Sequence, residues 1–239
     1  MRTVFCRDVE NVARFTAGIE LVRQRGAVEA SWMVIDAEPG LGKSTTLEWF
    51  SVQEDAPLVR AKAGWTVSWA LRDLAAALDL EPKRSSKQNF DQIVSELIIR
   101  ERTLVVDEIN HAAKTLKVLE TLRDITDMTQ TMLIVGGHKG TANTLKAHKQ
   151  IYDRISTFVN FTHASVRDVR ALCDQQCEVP VDDSGVEEIH RQTGGIHRNV
   201  MNAIARVEMI GKRLKAPVTR EMIGTHRLTN DGRLRALAS

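Results

Sequence analysis

Glu38-Pro39-Gly40-Leu41-Gly42-Lys43-Ser44-Thr45 places two glycines, an ammonium and a hydroxyl on one short stretch. It matches the phosphate-loop pattern, with Ala37 where that pattern begins with glycine. Gly40 and Gly42 would let the backbone curl so that successive N–H groups face phosphate oxygens. A helix starting near Ser44 would present its positive end to the same anion. Lys43 would then reach the β- and γ-phosphates, and the Ser44 hydroxyl would ligate Mg²⁺. About 60 residues later, Leu104-Val105-Val106-Asp107-Glu108 ends an apolar run in two adjacent carboxylates. Asp107 is suited to hold Mg²⁺ and Glu108 to polarise a water for in-line attack on the γ-phosphate. An acidic pair at a strand end is common by itself. Downstream of a phosphate loop, it predicts an ATP- and Mg²⁺-binding domain.

Both motifs need strands to carry them. Ser31–Asp36 reads as a buried strand running into the loop, and Pro57–Ala61 as a weaker one. Thr103–Val106 delivers the acidic pair. Thr131–Val135 is a fourth strand ending in Gly136-Gly137, and Ser156–Phe161 is a fifth. Helical patterns alternate with them. Asn11 would cap a first helix with Val12, Phe15, Ile19 and Val22 on one face; Trp65–Leu80 forms another. Glu81–Asn89 is polar and reads as a loop. Phe90, Ile93, Val94, Leu97 and Ile98 then repeat at amphipathic spacing, and Leu119, Leu122 and Ile125 mark a further helix. This alternation predicts an α/β fold with a parallel sheet and helices on both faces; in such sheets ligands bind at the C-terminal strand ends. After His163 only helical segments follow: Val166–Cys177 behind a Ser165/Asp168 capping box, Ser184–Thr193, Ile196–Leu214, and a short one from Thr219. The expected division is 1–163 for the nucleotide-binding α/β domain and 164–239 for a small all-helical one.

The 239 residues are 43% hydrophobic and 27% charged, ordinary for a globular chain and too apolar for a disordered one. No apolar run reaches the roughly 20 residues of a membrane helix. The N-terminal stretch is not a signal peptide. Three cysteines, Cys6, Cys173 and Cys177, make no disulfide framework and point to a reducing compartment. Cys173 and Cys177 lack the further ligands that zinc needs and read as buried helix residues. The net charge of +2 is uneven: from Ile196 on, nine Lys/Arg stand against three Asp/Glu. That basic end suits either a polyanion or a solvated helical face.

The phosphate loop, the Asp-Glu pair, the further strand and the helical C-terminal part together resemble the AAA+ ATPases. Within that group, the stretch from Val105 to Gly137 looks like the transposition regulators of the phage Mu B/TnsC type. The features carrying this are Asp107-Glu108-x-x-His111, a helix with Leu122-Arg123-Asp124, and a strand ending in glycine. The resemblance spans roughly Val9 to Lys212. It implies a P-loop AAA+ core with a five-stranded parallel sheet and a helical lid. It also implies ATP-driven assembly on duplex DNA into a helical filament or ring, recruitment of a transposase, and disassembly on hydrolysis, in bacterial or phage-infected cytoplasm and away from membranes. His138 takes the place of the "sensor 1" residue that touches the γ-phosphate or the attacking water. Arg154, in Tyr152-Asp153-Arg154-Ile155, takes that of the arginine finger reaching a neighbouring subunit; a surface salt bridge is the other reading. Arg198, in Thr193-Gly194-Gly195-Ile196-His197-Arg198, resembles the lid's "sensor 2"; an exposed Arg at a helix start is the alternative.

Unlike the phage protein, the ATPase core starts almost at Met1, so DNA contact is expected from the core or lid. Lys62, Lys83, Arg84 and Lys87 follow the second strand and are candidates by analogy, as is Arg123; each is also an ordinary solvated charge. Trp65 and Trp69, four apart on one helix, could stack on a partner but are expected to pack in the core, and Met201, Met209 and Met222 to fill core space. A helicase loader of the IstB/DnaC type and a nucleotide switch without a DNA role are the rival functions.

Overall fold

A computed structural model describes residues 1–112, 116–224 and 226–229. The basic end therefore lies partly outside the described residues, with Arg233 and Arg235. Contacts divide the chain into two units that interleave in sequence. One comprises Arg14–Pro39 and Lys43–Phe161; the other comprises Met1–Ala13, Gly40–Gly42 and the described residues from Thr162 on.

The first unit is the α/β one. Its strands are β1 (Trp32–Ala37), β2 (Leu58–Arg60), β3 (Leu104–Asp107), β4 (Leu133–His138) and β5 (Ile155–Asn160). All pair in parallel, in the order β2-β3-β4-β1-β5. The residues of β3 are buried throughout, as are all but one of β1, which is why these segments read as continuous apolar runs rather than alternating ones. Around the sheet lie α1 (Glu10–Arg23), α2 (Lys43–Gln53), α3 (Val67–Ala77), α4 (Ser86–Ile99) and α5 (Leu116–Thr129). Two short helices, α6 (Thr141–Lys146) and α7 (Lys149–Tyr152), follow β4. The core takes Trp32, Val34 and Val106 from the sheet, and Leu71, Leu74, Ile93, Leu97, Leu119 and Leu122 from the helices. The buried Trp32 indole donates to Thr126 Oγ1 at 2.9 Å, so its one polar atom is satisfied.

The second unit holds α8 (Val166–Gln176), α9 (Asp183–Thr193), α10 (His197–Leu214) and α11 (Arg220–Ile223). The Ser165/Asp168 capping box is present at the start of α8. Val169, Leu172, Ile189, Val200, Ile204 and Val207 form its core. It is not wholly helical, because Val181 and Val218 make an isolated parallel bridge. Cys173 and Cys177 are buried; burial pushes the Cys173 thiol up to about 12. Among the described residues no cluster of metal-ligating side chains occurs. Nor, among them, is any helix long and apolar enough to cross a membrane.

Several local expectations are corrected. Asn11 does not cap α1, which begins one residue earlier. Its amide instead brackets Thr162, accepting from that residue's N–H and donating to its carbonyl. The helix expected over Trp65–Leu80 starts after Thr66, whose hydroxyl caps it. This leaves Trp65 buried in the turn before it and Trp69 exposed. The polar stretch to Asn89 is helical from Ser86, because buried Asn89 bonds to the backbone of Lys83 and Ser85 and closes the turn itself. Ile98 and Met209 face outward rather than into a core. Finally, β4 does not end at Gly136-Gly137 but runs through both to His138.

Candidate nucleotide site

The C-terminal ends of β1, β4 and β3 lie side by side, with β4 in the middle. β1 leads into the glycine loop and then α2, whose first residue is Lys43. β3 ends at Asp107. Lys43 Nζ donates to Asp107 Oδ1 at 2.6 Å, and Ser44 Oγ donates to Asp107 Oδ2 at 2.6 Å. Only 8% of the Lys43 side chain and 2% of the Asp107 side chain is exposed, so water does little to screen the pair. Burial pushes the Asp107 carboxyl up. Hydrogen bonds from Lys43 and Ser44, the Lys43 charge and the Glu108 N–H outweigh it and hold the group below its ordinary value. Ser44 Oγ and Asp107 Oδ2 form a pair of hard oxygen donors that suits Mg²⁺, which keeps several waters beside one or two protein ligands.

Gly136 explains how these groups come so close. A Cβ there would lie 2.9 Å from Asp107 Oδ1 and 3.0 Å from the Lys43 stem, so a side chain would drive the pair apart. The glycine sits inside a strand because the space above it is taken. From the sequence alone it reads as a strand terminator, since a bare glycine gives no sign of what lies over it.

Glu108 leaves β3 in a left-handed conformation, φ 57° and ψ 34°, with its N–H donating to Asp107 Oδ1 at 2.8 Å. Its Oε1 lies 3.6 Å from Lys43 Nζ and its Oε2 3.1 Å from His138 Nε2. A non-glycine residue in this region costs about 1–3 kcal/mol, and such strain gathers at working sites. Lys43, Ser44, Asp107, Glu108 and His138 thus lie together; type and spacing pointed to the first four, and the resemblance alone to His138. A cation, two carboxylates and an imidazole at this end of the sheet can bind phosphate oxygens and accept a proton from water. Arg60, at the end of β2, was not among the expected residues. Its Nη2 lies 3.8 Å from Asp107 Oδ2 and 3.3 Å from Glu48.

The rest of the loop is less uniform. Glu38 turns outward to Lys139 at 2.6 Å, and Pro39 and Thr45 are exposed. Leu41 is buried. Gly40 and Gly42 each have φ near 89°, a conformation that side chains other than glycine's rarely adopt. Within the helical unit, the Arg198 N–H donates to the Gly40 carbonyl at 2.9 Å. The Arg198 Nε lies 4.0 Å from where a Gly40 Cβ would stand, and the His197 ring 3.3 Å from that of Gly42. Burial pushes the His197 imidazole below its ordinary pKa, which favours the neutral ring. His197 was missed because a lone histidine beside a more conspicuous arginine carries no pattern.

Arg154 is not part of this cluster. Its carbonyl accepts from the N–H of Trp32, the first residue of β1, which places it at the opposite end of the parallel sheet. Its guanidinium grips Asp127 through Nε and Nη2, the shortest contact being 2.7 Å. The nucleic-acid candidates do not form one patch of free charge. Lys62 pairs with Asp73 at 2.7 Å and lies over the Trp69 ring; Lys83 neighbours Glu81, and Lys87 pairs with Asp91. Arg123 is held by Asp124 and Gln150. Arg84 is exposed.

Residues 27–145 match a family described as an AAA domain. No curated protein matches the chain. Three solved structures are similar over nearly its whole length. Cdc6p from Pyrobaculum aerophilum has 14% identity and a TM-score of 0.61, covering 90% of this chain and 66% of that one. The Aeropyrum pernix Orc1 protein, solved in complex with DNA, has 16% identity and a TM-score of 0.57, covering 93% and 65%. A point mutant of Thermotoga maritima RuvB has 17% identity and a TM-score of 0.60, covering 90% and 68%. This chain thus spans about two thirds of their lengths. Residues 27–145 are thus similar to the AAA domain family, and the chain shares its fold with these three structures.

Proposed function

We propose that the protein is an ATP-hydrolysing AAA+ regulator that assembles on duplex DNA when ATP is bound and recruits a transposase to it. One observation carries the nucleotide part: Lys43, Ser44, Asp107 and Glu108, drawn from two motifs about 60 residues apart, meet at the strand ends. Lys43 binds the phosphates, and Glu108 takes a proton from the attacking water. When bound, Mg²⁺, held by Ser44 and Asp107, supplies charge neutralisation at the phosphate oxygens.

The DNA part has different support. The fold is shared with a protein solved in complex with DNA, and the Val105–Gly137 stretch resembles the transposition regulators. Contact with phosphates makes the assembly salt-sensitive and weakly sequence-specific. Arg154 reaches a neighbouring subunit's nucleotide, so hydrolysis depends on assembly.

Sedimentation with duplex DNA in ATP and Mg²⁺ tests the reading, with release expected at high salt. Glu108→Gln should keep ATP binding and lose hydrolysis by about 10²–10⁴-fold. A protein that binds no ATP, or one that hydrolyses ATP yet ignores DNA and forms no assembly, overturns the corresponding half. Preference for single strands with capture of a helicase would point to a loader.

A further inference from the structure

We infer that Asp127 is a latch: it keeps the Arg154 guanidinium within its own subunit and so raises the protein concentration at which neighbouring copies switch on hydrolysis. This rests on the reading of Arg154 as the group that reaches a neighbouring subunit's nucleotide.

Both members of the pair have fixed mounts. The Arg154 N–H donates to the Ile151 carbonyl at 3.0 Å, and its own carbonyl accepts from the Trp32 N–H at 2.8 Å. Asp127 lies in the last turn of α5, and its neighbour Thr126 accepts the Trp32 indole N–H at 2.9 Å. Trp32, at the start of β1, thus ties down both. What is left to move is the arginine side chain. A cavity of about 310 Å³, lined by the pair with Val28, Glu29, Thr126 and Gln130, lies beside it and gives it room to turn.

The chemistry makes the two engagements of Arg154 exclusive. Its Nε donates to Asp127 Oδ1 at 2.9 Å and its Nη2 to Oδ2 at 2.7 Å, so both carboxylate oxygens occupy the guanidinium fork. A phosphate is bound by the same fork, so it must displace the carboxylate. Asp127 also sits where a helix disfavours it. The C-terminal end of α5 carries the negative end of the dipole, and its last turn holds no basic residue. Arg154 supplies the missing cation from another element, and the Glu29 carboxylate adds to the attraction on the home side. Release therefore has a cost, and the apparent affinity between copies falls by the fraction of arginines held back. The pair is partly exposed, which keeps that cost small enough to be overcome.

The test follows hydrolysis and sedimenting assembly against protein concentration, in the full chain with duplex DNA, ATP and Mg²⁺. Asp127→Asn and Asp127→Ala should reach half-maximal rate at a concentration about fivefold lower than the wild type, with the plateau unchanged. A merely structural pair would not make its loss activating. Asp153→Asn removes an equal charge beside Arg154, where the carboxylate pairs with Lys149, and should leave the concentration unchanged. In an Arg154→Ala background, Asp127→Asn should no longer shift assembly, because the latch has nothing to hold. An unchanged or raised half-maximal concentration in both Asp127 variants, an equal shift in Asp153→Asn, or a shift that persists without Arg154 would each overturn the inference. Arg154→Ala that reaches the wild-type plateau defeats the reading of Arg154 and this one together. Arg154→Ala that loses turnover, beside Asp127 variants with wild-type concentration dependence, defeats this one alone.

Discussion

Two cation–carboxylate pairs stand at opposite ends of one parallel sheet. Lys43–Asp107 closes at 2.6 Å with 8% and 2% of the side chains exposed; Arg154–Asp127 closes at 2.7 Å with 25% and 28% exposed. The lengths barely differ, so burial separates them. At the inner pair, Asp107 also takes Ser44 and the Glu108 N–H, so almost every polar atom has a partner inside the protein. Removing one member strands a charge that water cannot reach. At the outer pair either member can fall back on solvent, and the contact is cheap to exchange. A group meant to hold a ligand in place belongs in the first setting. One meant to be handed to another molecule belongs in the second.

The comparison breaks first on Arg154. Arg154→Ala should lower hydrolysis in the assembled protein by about 10³–10⁵-fold and leave folding stability within about 1 kcal/mol. Turnover at assembly concentrations and urea melts read the two quantities; a large stability loss with normal turnover would make the outer pair purely structural. Next is Lys43→Ala, which should cost about 3–5 kcal/mol in chemical denaturation and abolish ATP binding, while Asp127→Ala costs about 1 kcal/mol or less. Equal losses from the two variants would erase the distinction. Gly136→Ala should follow at about 1–3 kcal/mol with weakened nucleotide affinity, since the new methyl meets Asp107 and Lys43; a neutral result would mean that the pair yields easily. The smallest effect is confined to acid. Asp107 is held below its ordinary 3.8, so the folded chain binds this proton less readily than the unfolded one. The stability it contributes is complete above about pH 3.8 and is lost as the pH falls through the depressed value. Asp107→Asn should flatten that limb of the stability–pH curve.

The inner cluster was more legible in the sequence than the outer one, for a physical reason. Its residues lie in two short segments whose strand context is written locally, as apolar runs ending in glycine or acid. Arg154 could be singled out, but its partner Asp127 lies 27 residues earlier on a helix face with nothing to mark it. The capping box at Ser165 was readable because both of its members sit within one turn. Helices α6 and α7 were not, being too short to display a period. Trp65 and Trp69 looked equivalent until the cap at Thr66 separated them: Trp65 turns inward, with its indole on Asp73, and Trp69 stays outside. Glycine was the most misleading residue. At Gly136 it signals crowding, whereas the usual reading of an isolated glycine is a break in the chain's regularity.

The interleaving of the two units has a practical consequence for anyone dissecting the molecule. Because the helical unit includes residues 1–13 and the three at 40–42, neither unit is a contiguous stretch of polypeptide. A truncation at any one peptide bond removes part of what it is meant to isolate. Point substitutions in the intact gene, rather than deletion fragments, are the sound way to assign tasks to each unit.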